Sequence, residues 1–275
     1  MSNDEHSDLP IEKIRKELQD AAPTTRKRVF EKFVLAALGS IPWVGGFISA
    51  AASFKTEEGS LKTDDLQTRW LHEHEHKMGQ LGGTLQDVAE RFESLGPAIE
   101  ERIQSEEYLD LVRKSFRAWD NADTNEKRRY TANLIVNAAG TRVCSDDVVR
   151  LFVDWLDHYH EAHLAVIREI FRRPGSTRLD IWRAVYGEQV REDSAEADLY
   201  KLLIRDLSTG SVIRQHRQTT PDGQFLRTRT TGRRGRGSGT MESAFEATKQ
   251  YELTELGKQF VHYTMSEVVG RLESE

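Results

Sequence analysis

A single cysteine in 275 residues, Cys144, closes off two constructions at once. No internal disulfide can form, and no zinc site built on several thiolates can be assembled. The opening MSNDEHSDLP has neither the basic flank nor the apolar run of a secretory signal. A reducing, cytoplasmic setting is therefore expected, with the periphery of the inner membrane left open by an apolar segment described below. No glycine-rich phosphate loop, nucleophile elbow or paired-carboxylate motif occurs, so no catalytic residue and no cofactor are expected. Asp146-Asp147 is explained by favourable charge at a helix start. No alternating strand pattern is found before residue 210.

What the chain does have is core material and helical periodicity. Five Trp, eleven Phe and seven Tyr are more than a disordered chain would carry, so a folded protein is expected despite 31% charged residues. Pro10 opens a short charged helix, Ile11 to Gln19. A second helix begins near Thr24 or Thr25, with Phe30, Val34, Ala37 and Ile41 on one face. A long polar helix runs from about Thr63 to Leu95. Along it Leu81, Leu85, Val88, Phe92 and Leu95 alternate steps of four and three, the spacing of a coiled-coil seam, and Ile99 continues the register. Gly82-Gly83 weakens its first half. Further helices are predicted at Glu106 to Asp120, Glu126 to Ala139 and Asp146 to Tyr159, with Thr124 and Ser145 as N-caps of the last two. Trp119, Tyr130, Phe152, Trp155 and Tyr159 are their core-facing residues.

From Phe33 to Phe54 no residue is charged. As one helix this run would rise about 33 Å, enough to cross a bilayer. Pro42 and Gly45-Gly46 interrupt it, leaving arms Phe33 to Ile41 and Phe47 to Phe54 that are too short to span alone. A glycine-broken apolar hairpin with Trp43 at its tip is expected, and its small residues suit close helix packing. Phe33, Leu38, Ile41, Trp43, Val44, Phe47 and Ile48 are the candidate contact residues. Burial, an oligomer contact and membrane insertion all stay open as their role, and a homo-oligomer is expected.

His72-Glu73-His74-Glu75-His76 satisfies the H-E-x-x-H pattern. On a helix His72 and His76 share a face, and Glu73 would be the base of a zinc peptidase. The third-ligand position of the longer motif is Gly82, which cannot coordinate. The stretch is read as a solvated run of alternating His and Glu, with His72 and His76 retained as weak metal candidates.

The last third changes character. Helices at Leu164 to Phe171, Leu179 to Tyr186 and Ala195 to Leu207 precede two alternating stretches, Ser211 to Arg217 and Phe225 to Thr231. Thr220-Pro221-Asp222-Gly223 joins them as a turn, Pro fixing its own φ and Gly accepting a positive one. Tyr251-Glu252-Leu253 is a short strand, and Thr254 caps a closing helix, Glu255 to about Val269. Three helices, a hairpin and a closing helix resemble the winged-helix order. The run Tyr251-Glu252-Leu253-Thr254-Glu255-Leu256-Gly257 resembles the closing motif common in that fold. The expected fold class is mainly α: helices and apolar hairpin over 1–62, a helical bundle over 63–159, and a winged-helix domain with a small β-hairpin over 160–275.

Seven arginines (Arg214, Arg217, Arg227, Arg229, Arg233, Arg234, Arg236) and one acid lie between Ser211 and Thr240, a local charge of +6 in a chain of net −6. That asymmetry predicts a localised anion site, on nucleic acid or on an acidic protein surface. Arg227 and Arg229, two apart, share one face of an extended strand. The predicted recognition helix tempers the nucleic-acid reading, because Glu196, Asp198 and Asp206 offset Lys201 and Arg205.

The whole chain also resembles the Abi-alpha-type bacterial proteins of abortive infection and phage defence. The resemblance is carried by the glycine-containing apolar segment, by Glu126-Lys127-Arg128-Arg129-Tyr130-Thr131-Ala132-Asn133-Leu134-Ile135, and by Leu253-Thr254-x-x-Gly257 with Phe260-Val261. It implies a non-enzymatic defence effector, the basic wing sensing or docking and the hairpin serving as assembly or membrane surface. A winged-helix transcriptional regulator is the alternative, and a zinc peptidase the second alternative.

Overall fold

Met78, Leu81, Leu85 and Val88 are fully buried, as the four-three seam requires of a helix that packs along one stripe. They belong to α3 in a computed structural model that describes residues 24–56, 65–216, 222 and 243–265. In chain order the first elements are α1 (Thr24–Gly39), α2 (Pro42–Thr56), α3 (Asp65–Leu95), a 3-10 turn (Pro97–Ile99), α4 (Glu100–Gln104), α5 (Glu106–Asn121), α6 (Asn125–Gly140) and α7 (Asp146–His158). They are followed by α8 (Glu161–Arg172), β1 (Ser176–Thr177), α9 (Arg178–Val185), α10 (Ala195–Thr209), β2 (Ile213–Gln215), β3 (Gln250–Leu253) and α11 (Glu255–Thr264). The protein is mainly helical with a small three-stranded antiparallel sheet. The expected helix at Ile11 to Gln19, the strand Phe225 to Thr231, its turn partners Thr220, Pro221 and Gly223, and the end of the last helix lie outside the described residues. The chain divides into two compact units, one of residues up to His158 together with those from Tyr263 on, the other Tyr159–His262.

In the first unit the uncharged run breaks at Pro42, one of the residues expected to interrupt it. α1 ends at Gly39, Ser40 folds its hydroxyl onto the Ala37 carbonyl (2.7 Å), and α2 starts at Pro42. The cause is proline, whose ring would strike the carbonyl four residues back if α1 ran on. Gly45 and Gly46, expected at the break, sit inside α2. The two arms meet at 94°, a corner rather than a folded-back hairpin, and no single helix among the described residues is long and apolar enough to cross a membrane. The inward face is Phe33, Ala36, Ala37, Ile41, Val44 and Phe47; of the predicted face Ala37 and Ile41 are buried, while Phe30 and Val34 are half-buried. Phe33 stands edge-on to Phe92 at 5.3 Å and to Phe116 at 6.0 Å, which puts it at the centre of the core.

α5 buries Tyr108, Leu111, Val112, Phe116 and Trp119 along one stripe and packs against α1, α6 and α7. α6 is enclosed nearly all round, so its polar residues must be satisfied internally. Lys127 reaches the Asp157 carbonyl near the end of α7 (3.3 Å). Asn133 and Asn137 donate to the carbonyls of Thr264 (2.8 Å) and Tyr263 (2.9 Å), residues of the same unit. Each of these bonds satisfies a carbonyl left over at a helix C-terminus. Within the stretch Glu126 to Ile135, Lys127 and Tyr130 to Ile135 are thus internal, while Arg129 is exposed. α4, five residues long, was not legible in the sequence, being too short for a periodic signal.

Candidate functional site

The second unit carries the candidate surface, and its frame is the sheet. β3 lies in the middle, paired antiparallel with β1 on one side (Ser176 with Tyr251) and β2 on the other (Ile213 with Leu253). β1 corrects the expectation of no strand before residue 210. Two residues leave no alternation to read, and tertiary pairing alone defines them. The described partner of β2 is thus Gln250–Leu253, so the stretch that holds most of the arginines is the connection between two paired strands.

Thr254 fastens the far end of this sheet. Its hydroxyl accepts from the Gly257 N–H (2.9 Å), as the predicted cap should, and also donates to the Ser211 carbonyl (2.6 Å). The Thr254 N–H donates to the Val212 carbonyl (3.0 Å), so the cap of α11 and the entry to β2 are one joint. Behind the sheet Trp182, Tyr200 and Phe245 form an aromatic cluster, Trp182 meeting Tyr200 at 5.2 Å and Phe245 at 5.0 Å. Arg178 stacks on Tyr251 and donates to its hydroxyl (2.9 Å), while the Tyr200 hydroxyl donates to the Arg178 carbonyl (2.7 Å).

Of the arginines singled out, Arg214 lies among the described residues. It faces Glu252 across the strands and donates to its carboxylate at 2.7 Å, with His216 Nδ1 on the second oxygen at 2.8 Å. Arg214 is a half-exposed cross-strand ion pair. Arg217, Arg227, Arg229, Arg233, Arg234 and Arg236 lie outside the described residues. Burial works against the Glu252 carboxylate, yet the hydrogen bonds from His216 and Arg214, with their charges, outweigh it and hold its pKa below the usual carboxylate range. A depressed folded pKa adds stability that is present above the unfolded carboxylate pKa and is lost as pH falls through the folded value. Acid melts of the wild type should therefore show a limb below the ordinary carboxylate range that is flatter in Glu252→Gln. An unchanged limb would mean that the pair does not hold the strands.

The solvent face of α10 is acidic and apolar. Leu199 and Leu202 are 49% and 38% exposed, and Glu196 and Asp198 are exposed beside them. Lys201 is engaged by Glu192 (3.6 Å) and Asp198 (3.9 Å). Glu192 also receives the Ser243 hydroxyl and the Ala244 N–H (2.9 Å). Nothing in the sequence pattern linked Glu192 to Ser243. The contact joins residues 51 apart, which only the folded chain brings together.

The remaining candidates fall in the first unit. Phe33, Ile41, Val44 and Phe47 are buried within it, Leu38 and Trp43 half-buried, and Ile48 exposed. Trp43 is no exposed tip. Its indole N–H donates to Asp120 (2.8 Å), Lys77 pairs with the same carboxylate (2.5 Å), and the Lys77 ammonium sits 5.3 Å from the indole ring. His76 is exposed and within 3.2 Å of the Gln80 amide, while the side chain of His72 lies outside the described ones. Among the described residues no group of three His, Cys, Asp or Glu is placed to hold a metal. A cavity of about 370 Å³ opens among Leu95, Ile99, Arg102, Ser105, Gly140 and Arg142. Arg102 on its wall is already pinned bidentately by Asp146 and stacked on Tyr108. Comparison of the chain with protein-family models, with curated proteins and with solved structures finds no match.

Proposed function

We propose that this chain is a non-enzymatic binding protein whose second unit is a winged helix that docks on the phosphate backbone of nucleic acid through the connection between β2 and β3. The observation that carries the reading is the position of that connection. It joins two paired strands, where a winged helix has its wing, and it bears Arg217, Arg227, Arg229, Arg233, Arg234 and Arg236. The order β1-β3-β2, with β1 between α8 and α9, supports the winged-helix assignment. The solvent face of α10 argues that docking reads backbone rather than sequence, since Glu196 and Asp198 would be repelled from a phosphate-lined groove. The operator-reading regulator is disfavoured on the same ground. On the resemblance to Abi-alpha-type proteins, the proposed setting is phage defence, with the first unit supplying association between copies. Burial of Phe33, Ile41, Val44 and Phe47 favours scaffolding over membrane contact for the apolar corner.

Binding to a random-sequence duplex tests the proposal. Affinity should fall steeply with salt, and Arg227→Ala with Arg229→Ala should flatten the log–log slope by about 2, one for each lost phosphate contact. No binding at low salt would sink it. Binding to an acidic peptide but not to a duplex would move the partner to an acidic protein surface.

A further inference from the structure

We propose that in the free protein the arginine-rich stretch of residues 227–236 docks on the solvent face of α10 of the same chain. The inference rests on the reading above insofar as the same arginines are those offered to phosphate.

Three observations converge. The first is the face itself. Leu199 and Leu202 stand exposed on α10, bordered by the exposed carboxylates of Glu196 and Asp198. The Lys201 ammonium is already shared between Glu192 and Asp198, which leaves Arg205, toward the other end of the helix, as the exposed cation of this face. The N-terminal half of α10 is thus an acidic rim around two leucines.

The second is where the chain re-enters the described structure. At Ser243 and Ala244 it is held by hydrogen bonds from the Ser243 hydroxyl and the Ala244 N–H to Glu192, three residues ahead of Ala195, where α10 begins. Arg236 is seven residues before Ser243 in sequence. Seven residues reach up to roughly 23 Å, and the face from Glu196 to Leu202 is only about 9 Å long. The arginines are therefore tethered within reach of the acidic rim.

The third is charge. Arg227, Arg229, Arg233, Arg234 and Arg236 carry five positive charges with no acid among residues 223–241. A short tether gives an effective concentration in the millimolar range, so that pairs individually weak at a surface still populate a docked state. Phosphate and the α10 carboxylates then compete for the same guanidinium groups, and nucleic acid must displace an internal contact.

Trypsin reads this directly, without nucleic acid. Cleavage after Arg233, Arg234 and Arg236 is followed by mass spectrometry, with cleavage after the exposed Arg142 of the first unit as internal reference. Glu196→Gln with Asp198→Asn should speed cleavage at the three arginines about fivefold relative to Arg142. Raising salt from about 0.05 to about 0.5 M should do the same in the wild type and much less in the variant. Equal rates in wild type and variant at low salt overturn the proposal. Protection that disappears on dilution also overturns it, since the segment would then come from a second copy. Failed duplex binding with preserved protection would remove the nucleic-acid reading and leave this one standing.

Discussion

Gly257→Ala should unfold the second unit at temperatures where the wild type is intact. A Cβ added at Gly257 would lie 2.2 Å from the Val212 carbonyl oxygen and 3.1 Å from its carbon. Those are backbone atoms, and the same carbonyl accepts the Thr254 N–H, so it cannot turn aside without breaking the joint between β2 and α11. In an ordinary helix the change would gain up to about 1 kcal/mol from alanine's propensity. Here overpacking against backbone should reverse the sign and cost about 3 kcal/mol. For a unit of this size that corresponds to a fall in Tm of roughly 15 °C. Gly210→Ala is the informative partner. Its Cβ would meet the Tyr159 hydroxyl at 2.2 Å and the Asp206 carbonyl at 3.2 Å. Removing the hydroxyl with Tyr159→Phe should restore part of the loss, whereas nothing comparable rescues Gly257→Ala. Calorimetry on the three variants decides it, and a Gly257→Ala protein as stable as the wild type would refute the joint described here.

Phe33→Ala should cost about 3–5 kcal/mol in the first unit, the range for deleting a ring from a closed core. Phe33 is fully buried and stands edge-on to Phe92 and Phe116, so its removal opens a cavity inside the core. Ile48→Ser, next in sequence to the buried Phe47 and itself exposed, should stay within about 0.5 kcal/mol. Urea melts measure both, and lipid-vesicle flotation separates the competing role. If Phe33→Ala abolished vesicle binding and left stability untouched, the α1–α2 corner would be a membrane element instead of a core wall.

These two sites show how unevenly the sequence exposed the fold. The α3 seam was legible because Leu81, Leu85, Val88 and Phe92 keep one period over several turns. The α1 face was legible only in part, Ala37 and Ile41 but not Phe33, because an uncharged run offers apolar residues on every side. Phe33 was chosen over Phe30 by packing against α3 and α5. Pro42 marked the break itself, and only the paired glycines beside it were wrongly counted into it. Proline and paired glycines all weaken a helix, but only the proline stops one outright, and Gly45-Gly46 are held helical. β1 and α4 left no pattern at all, because two and five residues are too few for a period to repeat.

The candidate surface divides along the same line. Charge asymmetry is additive along the chain, so composition alone marked the arginines between Ser211 and Thr240, and the run Tyr251 to Gly257 marked the start of the closing helix. Pairing is not additive. That β2 joins β3 across the arginine-bearing connection, that Glu252 takes up Arg214, and that Ser243 lands on Glu192 all depend on residues dozens of positions apart meeting in space. Local sequence fixes periodicity and charge. Which carboxylate meets which guanidinium is settled by backbone geometry, and only the folded chain specifies it.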